Sequence, residues 1–91
     1  MITAEGEEIA RAFAAAMLGE AAAESSEATA VAERHRLHID RWFYPCSYEV
    51  HRDLGELYVT DERFSAYWDG FAHGLAPYVQ AAIDAKATEA G

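Results

Sequence analysis

The sequence of 91 residues predicts an all-α domain of about five short helices. Apolar residues recur at helical spacing in successive segments, and no segment alternates apolar and polar residues as a half-buried strand does. Residues that cap or break helices separate these segments. Apolar residues make up 52% of the chain, which is enough for a packed core. The length indicates a single domain over residues 1–91.

The first helix is predicted over residues 4–19, with Thr3 as its N-cap. Ile9, Phe13 and Met17 recur every four residues and mark its buried stripe.

The second helix is predicted from Ser26, as N-cap, to about Tyr44. Pro45 ends it, because proline disfavours the α conformation in the residue before it. At 100° per residue, one face of this helix collects two histidines, a tryptophan and two aliphatic residues. These residues are Val31, His35, His38, Ile39 and Trp42.

Three further helices follow. The third begins at Ser47, a good N-cap, and Gly55 inside it predicts a close helix crossing. Thr60 or Asp61 caps the short fourth helix, and the last helix is expected to fray after Ala85. Their predicted buried stripes are, in order, Val50, Leu54, Leu57 and Tyr58; Phe64, Trp68 and Phe71, with Tyr67 beside them; and Leu75, Tyr78, Val79, Ala82 and Ile83.

The charge of the chain limits its partners. The formal net charge is -9, with only seven lysines and arginines, so we expect no nucleic-acid binding by the chain itself and no membrane partner. No apolar run reaches the roughly 18 residues that would span a membrane, and the first residues lack the charge of a secretory signal. One cysteine cannot form an internal disulfide, so we predict a cytoplasmic protein.

Chemistry-bearing residues concentrate in the stretch RHRLHIDRWFYPCS, Arg34–Ser47. Cys46 lies at a predicted helix–helix corner, just before the N-terminus of the third helix. The positive end of that helix dipole is expected to lower the pKa of the thiol and favour the reactive thiolate. The alternative is a small buried hydrophobic residue.

Metal binding and catalysis have little support in the sequence. His35 and His38, with Cys46 or His51, could suggest zinc, but the set is scattered and contains no Cys-x-x-Cys. We therefore predict no metal and no cofactor. A Cys–His pair can be drawn, but no motif supplies an oxyanion hole or a third orienting group, so we predict that the protein is not an enzyme.

Three segments resemble the TipAS-type antibiotic-recognition domain of MerR-type transcription regulators. They are ERHRLHIDRWFYPC (Glu33–Cys46), CSYEVHRDLGELYVTDERF (Cys46–Phe64) and GLAPYVQAAI (Gly74–Ile83). The resemblance covers residues of about 31–85 and implies a globin-like arrangement of helices without haem.

The resemblance also implies a ligand and a chemistry. Domains of this family bind thiopeptide antibiotics, which are rich in thiazole and oxazole rings, and the family's cysteine at the position of Cys46 adds to a dehydroalanine of the drug. Trp42, Tyr44 and Tyr48 flank Cys46 in the sequence, and we expect them to stack on such rings. His35 and His38 are expected at the wall of the same cleft.

The function expected from these observations is recognition of a thiopeptide-like or other bulky heterocyclic antibiotic, to sequester or sense it, with Cys46 as the residue for covalent capture. The alternative is a helical interaction or dimerisation module, such as a homodimer, without a small-molecule ligand. The family usually has extra N-terminal helical sequence that helps to close over the drug, and we expect the alanine-rich first helix to fill part of that role. His73 stands where the family pattern has proline, which changes the turn before the last helix.

Overall fold

The computed structural model describes residues 2–90, with side chains from Ala4 onward. Within this range the chain forms five helices and no strand, which confirms the predicted all-α class. The helices are α1 (Ile2–Leu18), α2 (Ser26–Trp42), α3 (Tyr48–Thr60), α4 (Glu62–Asp69) and α5 (Leu75–Ala90).

Two predicted boundaries of the first helices are corrected. Helix α1 already begins at Ile2, so Thr3 lies inside it and is not its N-cap. Ser25, one residue before the predicted Ser26, caps α2, and its hydroxyl accepts a hydrogen bond from the Ala28 N–H at 3.2 Å. Helix α2 ends at Trp42, two residues earlier than predicted.

The caps of the later helices follow the sequence. The Ser47 hydroxyl accepts the Val50 N–H at 3.1 Å, which confirms it as the N-cap of α3. Asp61 ends α3 and also caps α4, where its carboxylate accepts the Arg63 N–H at 2.9 Å. Asp61 therefore fixes both sides of this junction, because its backbone N–H donates to the Leu57 carbonyl at 2.9 Å and its side chain caps α4.

Helix α5 is longer than predicted. It continues to Ala90, so the expected fraying after Ala85 is wrong. Ala87 is buried against the other helices, and Lys86 forms an ion pair with Glu89 at 3.2 Å. The last turns therefore keep a packed face instead of projecting into solvent.

One core joins all five helices, and α3 crosses α5 closely. A Cβ atom added to Gly55 would lie 3.4 Å from Ile83, which explains the glycine as a crossing point. The side chains that form this core include Ile9 and Phe13, Val31 and Ala32, Tyr58, Trp68, and Leu75, Val79 and Ile83.

The buried face of α3 differs from the predicted stripe. Tyr58 is buried as predicted, but Leu57 is 38% exposed and His51 is fully buried in its place. The reason is Gly55, because its missing side chain lets α5 approach and turns that side of α3 inward. In α4 only Trp68 is fully buried, whereas Phe64 and Tyr67 are exposed.

Candidate ligand-binding site

A cavity of about 680 Å³ opens between the start of α1, the second half of α2 and the helices α3 and α4. Its size falls within the range of small-molecule sites in proteins. Five of the residues around it are buried and form its floor, and eight half-buried or exposed residues form its rim. The floor consists of His35, His38, Ile39, Tyr58 and Trp68. The rim consists of Gly6, Glu7, Phe43, Tyr44, Leu54, Arg63, Phe64 and Tyr67.

Aromatic rings from α3 and α4 build one continuous wall of this cavity. Phe64 and Tyr67 are three residues apart on α4, so they share a face, and they are 38% and 48% exposed. The ring centroid of Phe64 lies 5.6 Å from that of Tyr58, and the ring centroid of Tyr67 lies 5.4 Å from that of Trp68. Tyr58 and Trp68 contact each other at 5.3 Å, which closes the wall. Such a surface can stack against flat rings.

His35 lies at the centre of the cavity floor. Three aromatic rings surround it, with centroid-to-centroid distances of 6.2 Å to Phe13, 5.9 Å to Tyr58 and 5.4 Å to Trp68. The Nδ1 atom of His35 shares a hydrogen bond of 2.8 Å with the Nε2 atom of His51. Burial lowers the pKa of His35 to about 3 and that of His51 to about 4, so both rings are neutral at pH 7.

His38 connects the cavity floor to α1. Its Nδ1 atom pairs with a carboxylate oxygen of Glu5, and the Trp42 indole N–H donates to the same oxygen at 3.3 Å. The hydrogen bond from His38 is the main reason that the pKa of Glu5 lies below its usual value. The pair therefore holds α1 against α2 at one edge of the cavity.

The corner between α2 and α3 is held by a polar network. The Arg36 guanidinium donates to the Cys46 carbonyl at 2.8 Å and to both oxygens of Glu33 at 3.0 and 2.7 Å. It also stacks on the ring of Tyr48 at 4.2 Å, and the Tyr48 hydroxyl donates to Glu33 at 3.1 Å. Asp40 accepts the Cys46 N–H at 2.8 Å, so both backbone polar groups of Cys46 are bonded.

Cys46 is enclosed by this corner. It is 1% exposed, and it does not line the cavity. Burial raises the pKa of the Cys46 thiol, and the charge of Arg36 only partly offsets that effect. The predicted lowering of the thiol pKa by the α3 dipole is therefore wrong, because loss of water around the sulfur outweighs the dipole.

The structure separates the six predicted ligand-binding residues into two groups. His35, His38 and Tyr44 line the cavity, whereas Trp42, Tyr48 and Cys46 lie outside its lining. The aromatic residues of α3 and α4 that form the wall were assigned to the core by their helical spacing. The sequence contains one signal for these wall residues. With Phe64 and Tyr67, the eight-residue helix α4 carries more large apolar side chains than a single buried stripe can hold.

No group of three histidine, cysteine, aspartate or glutamate side chains within residues 2–90 is placed to hold a metal ion. None of the helices described is both long enough and apolar enough to cross a bilayer.

An all-helical fold with an aromatic cavity defines the chain as a ligand-binding domain, and its family follows from comparison with known proteins. Residues 1–86 match the family model of the TipAS antibiotic-recognition domain, so the chain belongs to this family. The match includes α1, which lies ahead of the three segments in which the sequence resembles the family.

Two kinds of transcriptional activator are similar to the chain. The HTH-type transcriptional activator TipA of Streptomyces coelicolor is 46% identical over 83 residues, which cover 91% of this chain and 33% of TipA. The HTH-type transcriptional activator mta of Bacillus subtilis is 37% identical over 82 residues, which cover 90% of this chain and 31% of mta. The chain therefore spans about a third of the length of the curated relatives that it matches.

Two solved structures share the fold. Nosiheptide in complex with TipAS from Streptomyces lividans gives a TM-score of 0.92 at 44% identity, over 98% of this chain and 62% of that one. The antibiotic binding domain of a TipA-class multidrug resistance transcriptional regulator gives a TM-score of 0.90 at 43% identity, over 99% of this chain and 96% of that one. These matches confirm the resemblance found in the sequence.

Proposed function

We propose that this domain binds a bulky, ring-rich antibiotic of the thiopeptide type in its aromatic cavity, and thereby sequesters or senses the drug. The observation that carries the proposal is the 680 Å³ cavity with its aromatic wall, in a fold that matches an antibiotic-binding domain along nearly its whole length. A ligand that is larger than the cavity would extend over the exposed rings at its rim.

The lining favours a neutral ligand with flat rings. Glu7 and Arg63 are charged, and both lie at the rim, while the buried pair His35 and His51 is uncharged. An ionic ligand would lose its hydration on the floor without gaining an opposite charge there, which is unfavourable. A neutral heterocycle keeps the gain from stacking and apolar burial.

The remaining parts of the proposal concern what the domain does with its ligand. We propose that it binds without catalysing a reaction and acts in the cytoplasm, as an activator-derived ligand domain would. With a net charge of -9 the chain repels phosphate groups, so contact with DNA would need another domain. Neither an anionic lipid surface nor a nucleic acid is a partner that this charge favours.

Titration with nosiheptide, followed by tryptophan fluorescence, to which Trp68 in the cavity contributes, tests this function. Replacing the rim rings in the double variant Phe64→Ala/Tyr67→Ala should weaken binding by about tenfold or more, because two stacking contacts are lost. The control is Leu57→Ala, which removes an apolar side chain as exposed as Phe64 that does not line the cavity. It should leave the affinity within about twofold.

Two results would contradict the binding function. The first is a wild-type protein that shows no saturable response to nosiheptide. The second is an equal loss of affinity in Leu57→Ala and in the double variant. A mass in solution that rises with concentration, together with no response to ligand, would favour the alternative of a homodimerising interaction module.

We further propose that Cys46 makes a bond to ligands that contain a dehydroalanine, in a step that follows binding. The thiol loses its proton to water, the sulfur adds to the terminal carbon of the alkene, and the neighbouring carbon takes a proton from water, so no group leaves. Because the α2–α3 corner encloses Cys46, this corner must open first, and the bond should form slowly. In the opened corner, Trp42 and Tyr48 would also reach the ligand.

Intact mass after incubation with nosiheptide tests the covalent step. The wild type should gain the mass of one ligand over hours, and Cys46→Ser should gain none while it binds with similar affinity. Asp40→Ala removes the bond to the Cys46 N–H, so this variant should form the adduct faster than the wild type. Tight binding without any mass shift in the wild type would disprove the covalent step and leave the cavity as a reversible site.

A further inference from the structure

One residue that lines the cavity carries an indole N–H that has no acceptor among the described residues. It belongs to Trp68, whose Nε1 atom is buried and unpartnered, although the ring lines the cavity. The other tryptophan differs, because the Trp42 indole N–H donates to Glu5 at 3.3 Å. A buried N–H without an acceptor is costly, and native proteins pair nearly all of them.

The histidine pair beside Trp68 carries a second N–H, whose position depends on the tautomers of the two rings. Each ring is neutral and carries one proton, and the bond between His35 Nδ1 and His51 Nε2 uses one of the two protons. The Nδ1 atom of His51 is buried and has no partner among residues 2–90. If the second proton lay there, it would be a second orphaned N–H.

The alternative arrangement of protons avoids that cost. When His51 carries its proton on Nε2 and donates to His35, its Nδ1 atom is a bare acceptor nitrogen, which is less costly to leave unpaired than an N–H. His35 then carries its own proton on Nε2. The described residues provide no acceptor for that atom, and His35 lines the cavity. The ring of His35 lies 5.4 Å from that of Trp68.

From this arrangement we propose that the cavity floor selects ligands with a neutral hydrogen-bond acceptor, a ring nitrogen or an amide carbonyl, which accepts from His35 Nε2–H, with Trp68 Nε1–H as the second donor. This inference rests on the proposed function, because it assigns the chemistry that the same cavity recognises. His51 acts as a positioning residue, since its bond sets which nitrogen of His35 carries the proton.

The arrangement also disfavours ligands that only donate hydrogen bonds. To accept from such a ligand, His35 would have to move its proton to Nδ1, and His51 would then carry a buried N–H at Nδ1 without a partner. The floor therefore discriminates between two ligands of equal shape by their hydrogen-bonding atoms. Discrimination of this kind is characteristic of sites with buried polar groups.

A pair of matched probes tests the inference. Quinoline and naphthalene have nearly the same shape, but only quinoline has an acceptor nitrogen, which is uncharged at pH 7.5. We expect quinoline to bind the wild type about fivefold more tightly than naphthalene does, as one hydrogen bond predicts. In His35→Phe, which keeps an aromatic ring but removes both nitrogens, the ratio of the two affinities should fall toward one.

A second variant and a spectroscopic measurement cover the case in which His35→Phe does not fold. Trp68→Phe keeps the histidine pair and should lower the ratio by a smaller factor. In the wild type, two-bond ¹H–¹⁵N spectra should show a proton on Nε2 of both His35 and His51. Quinoline should shift the indole N–H signal of Trp68 downfield and leave that of Trp42 in place, with Trp42→Phe identifying the two signals.

The outcomes separate this inference from the function on which it rests. Equal affinities for the two probes, a proton on Nδ1 of His51, or an unmoved Trp68 signal at saturation would each overturn the inference. If nosiheptide still binds in those cases, the antibiotic-binding function stands. If nosiheptide and both probes fail to bind, the function and the inference fail together.

Discussion

The two sides of this small domain are built in opposite ways. Where α3 meets α5, Gly55 lies against Ile83, so the helices approach closely, and α5 also buries the small side chains of Ala76 and Ala82. Where α2 and α3 face α4, aromatic rings pack at tilted and edge-to-face angles and border an open cavity. Small residues therefore close one side of the core, and aromatic residues hold the other side open.

The polar groups differ in the same way. At the α3–α5 side, Arg52 donates to Thr88 at 3.1 Å and pairs with Asp84 at 3.7 Å in reach of water. At the cavity side, Trp68 and His51 each keep a buried nitrogen without a partner among the described residues. The tightly packed α3–α5 side therefore stabilises the fold, and the cavity side keeps the polar groups that can bind a ligand.

The same change, phenylalanine to alanine, should have very different effects in the buried core and at the cavity rim. Phe13 is fully buried, so Phe13→Ala should lower the free energy of unfolding by about 3–5 kcal/mol. Phe64 lies at the cavity rim, so Phe64→Ala should cost less than about 1 kcal/mol. Urea unfolding of the ligand-free proteins measures both values. Similar losses in the two variants would remove the distinction between a stabilising core and an open rim.

Acid should destabilise the protein through the histidine pair on the cavity side. In the folded protein, burial lowers the pKa of His35 to about 3 and that of His51 to about 4, whereas unfolded histidines keep their usual pKa of about 6.5. Between these values the unfolded state binds more protons, so stability falls as pH drops below about 6.5. From pH 7.5 to pH 5.5 we expect a loss of about 3 kcal/mol for the two groups.

Urea titrations at several pH values measure this loss. The control is His73→Gln, which removes an exposed histidine of the turn before α5 and should leave the pH dependence unchanged. A free energy of unfolding that stays constant from pH 7.5 to pH 5.5 would contradict the assignment of a neutral buried pair.

Enlarging Gly55 should have the smallest of the three effects and probes the tightly packed side. Gly55→Leu overfills the crossing with Ile83 and should cost about 2 kcal/mol. Gly55→Ala adds only a Cβ atom at 3.4 Å from Ile83 and gains helix propensity, so its stability should stay within about 1 kcal/mol of the wild type. Thermal unfolding compares the three proteins. If leucine is tolerated as well as alanine, the crossing is looser than the structure indicates.

Several features of the fold could be predicted because they depend on neighbours in the sequence. Ser47 and Asp61 cap helices through residues two or three positions away, and Pro45 indicates the end of α2 to within about two residues. Helical spacing found Ile9 and Phe13 in the core for the same reason. Ser25 in place of Ser26 and Trp42 in place of Tyr44 show that such local signals are accurate to about one or two residues.

The candidate site depends on contacts between distant segments, and the sequence could predict less of it. Residues 16 apart in the chain form the His35–His51 bond, and helical periodicity on α2 contains no information about the partner on α3. The spacing of Phe64 and Tyr67 shows that they share a face, but the position of α4 decides whether that face is core or cavity wall.

The sequence by itself determined the five helices, the N-cap Ser47, the N-cap Asp61 as one of two candidates, and the family. Capping and periodicity depend on residues that are close together in the chain, and the family resemblance rests on contiguous segments. Only the tertiary structure decided that α4 contributes to the cavity wall and that Trp42, Tyr48 and Cys46 lie outside the lining. It also decided that Arg36 and Asp40 enclose the thiol and that burial raises its pKa. The physical reason is that burial is set by how helices pack, and dehydration of a charge can exceed the local effect of a helix dipole.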